Sequence, residues 1–438
     1  MKSAPNILFV FSDQQHWQAA GFVDPSFKTP NMDRLASDGI VFENAFCTTP
    51  QCSPSRSSMI TGFYPSKTGV LGNVGQAGGD PLRMRTIGSM LKDAGYYTGY
   101  FGKWHLGKDS VGTAGWDEDL GVTGPETRDD KECSKRAIDF LKRRKGKSAP
   151  FALFISYNDP HDIYHVKREK DISPKNSIPL PDSWGLKDLS TTPSVQKQFM
   201  EEDHGKFISG KESPAWQRYR EFYRDKVSLY DSELGTVLNE LEKSGEYKNT
   251  LIIVTSDHGD MDAQHGLVLK GPFMYEHMMR VPLIIRPPGD SFPQKISEFH
   301  TVNVDLVPTI ADLAGIEALG TDGVSLKPFL CEGGKKPQRE FVIGQYYSKQ
   351  SWVNPIRMIR TEKFKYNQYR VHGEELYDLE KDPMEIANLA KDPKYSGVKS
   401  ELREKLEEWI RKNNDLFYSQ SPTNREGGDL NYQTNKEQ

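Results

Sequence analysis

Cysteine is scarce in this chain: 4 in 438 residues, at positions 47, 52, 133 and 331, with no CxxC pair and no dense framework. That pattern argues against a domain stapled by disulfides. If Cys52 is committed to chemistry, the three that remain suit a reducing compartment. Long apolar runs are missing as well. The first, Ile7-Leu8-Phe9-Val10-Phe11, is too short for a signal-peptide core and leads into polar Ser12-Asp13-Gln14-Gln15. As written, the chain reads as cytoplasmic and without a membrane span; removal of a leader would leave the same sequence in a periplasmic or secreted protein. No excess of either charge is present. A net charge of −4 and a pI near 6.2 give no bulk attraction to nucleic acid or to an anionic membrane. An anionic substrate would therefore need a local cluster of cations. No internal repeat is visible.

What is present suits a soluble globular protein, with 27% charged and 36% hydrophobic residues. The length allows two or three domains, or one large α/β domain with an appendage. Short apolar runs at 6–12, 97–102, 151–157, 250–256 and 281–286 have the length and β-branched content of strands buried on both faces. Helical patterns separate them at 29–38, 86–94, 132–144 and about 216–243. This alternation predicts a largely parallel α/β sheet. A helix is expected over 304–314. From about 339, strand-like pieces precede a helix over 398–412, an α+β pattern suited to a small antiparallel sheet. The expected division is an α/β domain over 1–335, an α+β subdomain over 336–418 and a polar, mobile tail over 419–438. Within the first, the polar stretch 162–215 reads as a lid, a binding loop or mobile surface.

The strands end on chemistry. Asp13 closes the first, Lys103-Trp104-His105 follows the second, Pro160-His161 the third, and Asp257-His258-Gly259-Asp260 the fourth. Ligands of open α/β sheets bind outside the carboxyl ends of the strands, so these residues converge on one pocket. Lys103 and His105 are expected on one side of an extended segment, by alternation.

Residues 50–62, Pro-Gln-Cys-Ser-Pro-Ser-Arg-Ser-Ser-Met-Ile-Thr-Gly, read as a short helix with Pro54 in its first turn and a stop at Gly62. Cys52 would sit at its N-terminus, where free N–H groups and the dipole favour an anion, and Arg56 one turn on. Taken alone, an ordinary buried cysteine before a helix has the same pattern.

The Cys-x-Pro-x-Arg spacing, continued to Thr61-Gly62, resembles the signature of the type I sulfatases. So does Gly-Lys-Trp-His-Leu-Gly around Lys103. The likeness extends to Pro160-His161, to Lys270 in His265-Gly-Leu-Val-Leu-Lys-Gly, and to 281–286, 305–309 and 375–390. It implies an alkaline-phosphatase-like fold of the alkaline phosphatase superfamily: a large mixed, mostly parallel sheet flanked by helices, with a smaller C-terminal antiparallel subdomain. It also implies that Cys52 is oxidised by a maturation enzyme to formylglycine, whose aldehyde hydrate is the nucleophile of a sulfuric ester hydrolase.

In that family Arg56 and a divalent cation hold residue 52. The cation's ligands would be Asp13, Gln14, Asp257, His258 and residue 52 itself. With Gln14 where the family often has a second aspartate, the metal stays open between Ca2+ and Mn2+. Lys103 would bind the sulfate, His105 would serve the hydroxyl of residue 52, and His161 with Lys270 would meet the ester oxygen and protonate the leaving group. His265 would orient its loop or touch substrate. His16, Trp17 and Asn73 are read as pocket lining or structural, and His165, His204 and His277 carry no assigned role. The polar insert favours a sulfated carbohydrate as substrate. A phosphonate monoester or phosphodiester hydrolase is a second reading. A non-catalytic protein binding sulfated glycans is a third, and retention of every catalytic element argues against it.

Overall fold

The computed structural model describes residues 4–108, 114–122, 129–168, 178–186, 189–290, 293–317, 320–331, 335–428 and 430. Its strands in chain order are β1 (Asn6–Asp13), β2 (Ile40–Phe42), β3 (Ala45–Phe46), β4 (Tyr97–Gly102), β5 (Glu118–Leu120), β6 (Phe151–Pro160) and β7 (Thr250–Ser256). They continue with β8 (Leu283–Arg286), β9 (Gln294–Ile296), β10 (Thr301–Val302), β11 (Val342–Lys349), β12 (Trp352–Arg360), β13 (Phe364–Tyr369) and β14 (Glu374–Asp378). Eight of them form the main sheet in the order β5-β4-β6-β1-β7-β8-β2-β9.

The centre of this sheet, β4-β6-β1-β7, is parallel throughout, with Phe9 of β1 in register with Phe154 of β6 and Ile253 of β7. Every residue of β1, β6 and β7 is buried, the condition that a parallel sheet covered on both faces imposes on its sequence. Leu8, Val10, Leu153, Ile155, Ile252 and Val254 face one core, with the helices Pro30–Asp38, Asp130–Arg144 and Ser213–Ser244. Ile7, Phe9, Phe11, Phe154 and Ile253 face the other, which is continuous with the C-terminal sheet. The last expected run forms only Leu283–Arg286 and lies antiparallel to β7, so the sheet is mixed.

Strands β11 to β14 form an antiparallel sheet in sequential order, and the helix Ser396–Lys412 buries Leu402, Leu406 and Ile410. The first part of the tail, expected to be mobile, is packed. Thr423 exchanges hydrogen bonds with Val353, at the start of β12 beyond the end of its pairing with β13. Within 162–215, the described residues are largely helical, including His161–Arg168, Ser194–Glu202 and His204–Phe207. Residues 169–177 and 187–188 of that insert, and 429 and 431–438 of the tail, lie outside the described residues.

Buried charge joins the two sheets. Glu276 opens the helix Glu276–Met279 between β7 and β8. It meets Arg360 of β12 at 3.1 Å and Lys365 of β13 at 2.7 Å, and Lys365 also meets Glu385 at 2.7 Å. Burial alone would raise the Glu276 carboxyl; Arg360, Lys365 and Arg280 outweigh it and hold the group well below its ordinary 4.5. A depressed carboxyl contributes stability that is complete above its unfolded pKa and is lost as pH falls below it. Replacing Glu276 by Gln is expected to cost about 3–5 kcal/mol at neutral pH, because Arg360 stays buried without its carboxylate and Lys365 keeps only Glu385. The loss should shrink on acidification below 4.5, and denaturant unfolding at a series of pH values measures both.

Candidate active site

The four parallel strands deliver their carboxyl ends side by side. Asp13 is the last residue of β1, Lys103 follows β4, His161 follows β6 and Asp257 follows β7. Against this row lies the helix Cys52–Thr61, buried at all of its residues, with Cys52 first and Gly62 (φ 78°) ending it in the left-handed conformation. Asn73 Oδ1 accepts from the Ser53 backbone N–H at 3.1 Å, so it caps this helix as well as lining the cavity beside it.

Arg56 lies one turn into the helix, and its guanidinium fixes the arrangement. Nη2 donates to Asp13 Oδ2 at 2.9 Å and Nε to Asp257 Oδ2 at 2.8 Å. Nη1 donates to the Lys103 carbonyl at 2.5 Å and to Ser156 Oγ at 2.6 Å. These contacts go to the strand ends rather than to the Cys52 sulfur. The side chain is a positioning one that draws β1, β4, β6 and β7 onto a single cation.

Cys52 Sγ stands among cations and a carboxylate: Lys270 Nζ at 2.8 Å, His258 Nε2 at 3.3 Å, Asp13 Oδ1 at 3.6 Å and Lys103 Nζ at 3.8 Å. Burial would raise the thiol, yet Lys103, Lys270 and His258 hold it well below its ordinary 9.0. The position is built to carry negative charge. His105 and His161 face the same atom and line the same cavity. Burial, reinforced by Lys103 and Lys270, pushes the His161 imidazole down to about 3, so its ring is neutral in the free site.

The route that Lys103 and His105 take differs from an extended segment. Strand β4 stops at Gly102 (φ 116°), where a Cβ would sit 1.9 Å from the Ser156 carbonyl oxygen, and His105 has φ 58°. The chain turns tightly there. Both side chains reach the pocket through that left-handed turn and not through strand alternation.

One group of residues fits a divalent cation. Donor atoms of Asp13, Cys52, Asp257 and His258 lie within 4.8 Å of one another, all buried. Arg56 and Lys103 occupy Oδ2 of Asp13, while its Oδ1 has contacts only at 3.6 Å and beyond. His258 Nδ1 donates to the Gly259 carbonyl at 2.9 Å, which leaves Nε2 facing Asp13 Oδ1 at 3.7 Å and Asp257 Oδ1 at 3.6 Å. Gln14 gives its backbone N–H to Asp257 Oδ1 and its Nε2 to Asp260 Oδ2, and its Oε1 is buried with no hydrogen-bond partner among the described residues. Two carboxylate oxygens, an imidazole nitrogen and an orphaned amide oxygen form a hard-cation donor set.

The pocket over this centre is a cavity of about 360 Å³. Its outer wall includes Tyr164, His165 and His204 from the insert and Tyr346, Lys349 and Gln350 from the C-terminal sheet, none of them expected there from the sequence. His16, by contrast, stacks on Tyr223 and approaches Asp262 at 3.7 Å, and Trp17 lies under Arg280, with its guanidinium carbon 3.8 Å from the ring centre. Neither lines this cavity. His265 stacks on Tyr275 at 4.2 Å and its backbone N–H donates to Ser183 Oγ at 3.1 Å, so it anchors the segment that carries Lys270.

Comparison with known proteins agrees with this geometry. A family model described as Sulfatase matches residues 5–316, and one described as N-sulphoglucosamine sulphohydrolase, C-terminal, matches 263–412. The chain is 30% identical to the delta 4,5-hexuronate-2-O-sulfatase of Bacteroides thetaiotaomicron, across 95% of this chain and 90% of that one. It is 31% identical to the N-acetylglucosamine-6-O-sulfatase of the same organism, across 92% and 86%. The solved structure of a 2-O GAG sulfatase superposes with a TM-score of 0.85 at 27% identity, covering 96% of this chain and 95% of that one. The chain belongs to the sulfatase family, an enzyme on the alkaline-phosphatase-like fold.

Proposed function

We propose that this enzyme hydrolyses sulfate esters of sulfated carbohydrates, using residue 52 in its formylglycine form and a divalent cation. The observation that carries the reading is the convergence of Asp13, Lys103, His161 and Asp257, from four adjacent strand ends, around the side chain of Cys52. The Cys52 sulfur stands in for the oxygen of the matured side chain. Three contacting groups that favour an anion, His258, Lys103 and Lys270, suit that oxygen.

The chemistry divides among residues by position. Asp13, Gln14, Asp257 and His258, with residue 52, would hold the cation. When bound, it supplies Lewis-acid polarisation of the sulfonyl oxygens, and the aldehyde hydrate supplies an oxygen nucleophile. Lys103 and Lys270 flank residue 52 and neutralise the sulfate group that enters between them. His105, on the other side of residue 52, is placed to take a proton there. His161 and Lys270 meet the ester oxygen, and Lys270 carries the proton that the departing alcohol needs. Water is limited at the inner end by the burial of Asp13, Cys52, Arg56, Lys103, Asp257, His258 and Lys270, while His105 and His161 are half-buried at its rim.

The carbohydrate part of the reading rests on the size and polarity of the cavity and on the sugars named in the two similar sulfatases. A sulfate group alone would leave most of 360 Å³ empty. Parallel assays on sugar sulfates and on aryl phosphonate esters separate this reading from phosphonate hydrolysis; faster turnover of the phosphonate would overturn it.

Active protein is expected to yield a peptide spanning residue 52 with the mass of the aldehyde rather than the thiol. Cys52→Ala should be inactive, and Lys270→Ala should lose about 10²–10⁴-fold in kcat. Full activity in protein whose residue 52 is entirely thiol would sink the mechanism.

Cation binding has its own readout. Adding Ca2+ or Mn2+ to chelator-treated protein should raise the unfolding midpoint, by about 2.7 kcal/mol of stability at a hundredfold excess over Kd. Asp257→Asn should abolish that shift, and the cation effective at the lower concentration identifies the metal.

A further inference from the structure

The cavity is lined by more basic side chains than one sulfate ester requires. Its described lining holds three lysines and four histidines against a single carboxylate, Asp162, which already approaches Lys226 and His165. Lys103 and Lys270 belong to the inner end. The third lysine, Lys349, is the last residue of β11 and enters from the opposite sheet.

Lys349 is held in place. Its side chain is only 12% exposed, its Nζ lies over the Phe199 ring at 4.5 Å, and it pairs with Asp203, which does not line the cavity. Two further basic groups gather beside it. Lys167 Nζ sits over the rings of Tyr164 and Phe207, at 5.1 and 5.2 Å. His204 packs edge-on against Tyr164, and its Nδ1 is buried with no hydrogen-bond partner. Burial pushes the Lys349 ammonium down to about 7 against the pull of Asp203, with Lys167 and Lys270 adding to the fall. Burial, Lys349 and Lys167 push the His204 imidazole down to about 3, so the charge on this side of the cavity comes from the lysines and from Asp203, the partner of Lys349.

A neutral sugar beside Lys349 would offer its ammonium only uncharged hydroxyl acceptors. An anionic substituent there would gain a charge-assisted hydrogen bond. We infer that Lys349, with His204 and Lys167 behind it, is a second anion-binding point that selects sulfate esters bearing a further carboxylate or sulfate on the same sugar or the one adjoining. The inference rests on the reading of the inner site as a sulfate ester hydrolase for carbohydrates. The competing role for Lys349 is that of a fastener, through Asp203, between the insert and the C-terminal sheet.

Steady-state kinetics on three substrates test it: a neutral sugar monosulfate, the same sulfate on a uronate, and the same sugar with a second sulfate. The wild-type enzyme is expected to favour at least one dianion over the monosulfate by about tenfold in kcat/KM, mainly through KM. Which dianion is favoured separates carboxylate from sulfate. Lys349→Met should reduce that ratio about tenfold, Lys349→Arg should retain most of it, and Asp203→Asn should keep or raise it. Lys349→Gln carries the same expectation as Met if the Met variant does not fold.

Three results would overturn the second anion point. They are an absent preference in the wild type, an equal loss on all three substrates in the Lys349 variants, and an Asp203→Asn ratio as low as that of Lys349→Met. Sulfate release without discrimination overturns this inference alone, whereas no release from any of the three overturns the carbohydrate sulfatase reading and the inference with it.

Discussion

A single buried guanidinium bridging two carboxylates is the constraint on which the rest of the centre depends. Asp13 and Asp257 close neighbouring strands, and without a cation between them their charges would repel at short range in a site that excludes water. Arg56 takes one oxygen of each. That leaves the second oxygen of each aspartate directed toward His258 and, from Asp13, toward residue 52. The same guanidinium fastens the Lys103 carbonyl and Ser156, so β4 and β6 are tied to the helix that presents Cys52. Planar, permanently charged and forked, arginine suits this position; a lysine could not reach four acceptors at fixed angles.

Residue 52 and its surroundings then have a division of labour with a physical basis. Fixed charge comes from lysines whose stems are buried. On the proposed chemistry coordination would come from side chains at the strand ends, which are oriented by the Gly259 carbonyl and by Asp260, the partner of Gln14. The reacting atoms rest on the stiffest part of the molecule, a four-strand parallel block covered on both faces. The outer wall is assembled from the insert and the C-terminal sheet, which are joined to that block by buried ion pairs.

Much of the centre was legible because its residues occur in short stretches directly after continuous apolar runs. A run such as 250–256 has few alternatives to a buried strand, and the residues immediately beyond such a strand lie at the sheet's carboxyl edge. The three-residue strands β2, β5 and β9 were not legible, since their pairing comes from tertiary contact rather than from any local pattern. Nor were Tyr164, His204, Tyr346 and Lys349. They come from segments almost 200 residues apart and meet only because the C-terminal sheet packs over the insert. The left-handed turn at His105 was hidden for a different reason. Alternation assumes that a strand continues, and Gly102 ends it where the Ser156 carbonyl leaves no room for a Cβ.

The burial of the helix Cys52–Thr61 has a consequence for the order of events in the life of this protein. All of its residues are enclosed, and Cys52 itself is 1% exposed. A second protein that oxidised the thiol would need the peptide in its own active site, extended and free of Asp13, Arg56 and Lys270. The folded chain offers no such access, and unpacking the helix would part the ends of four strands. On the proposed chemistry, the oxidation therefore belongs to the interval before the sheet closes over residue 52. On that chemistry folding and maturation would compete for the same segment, and the fraction of working molecules would follow from their relative rates.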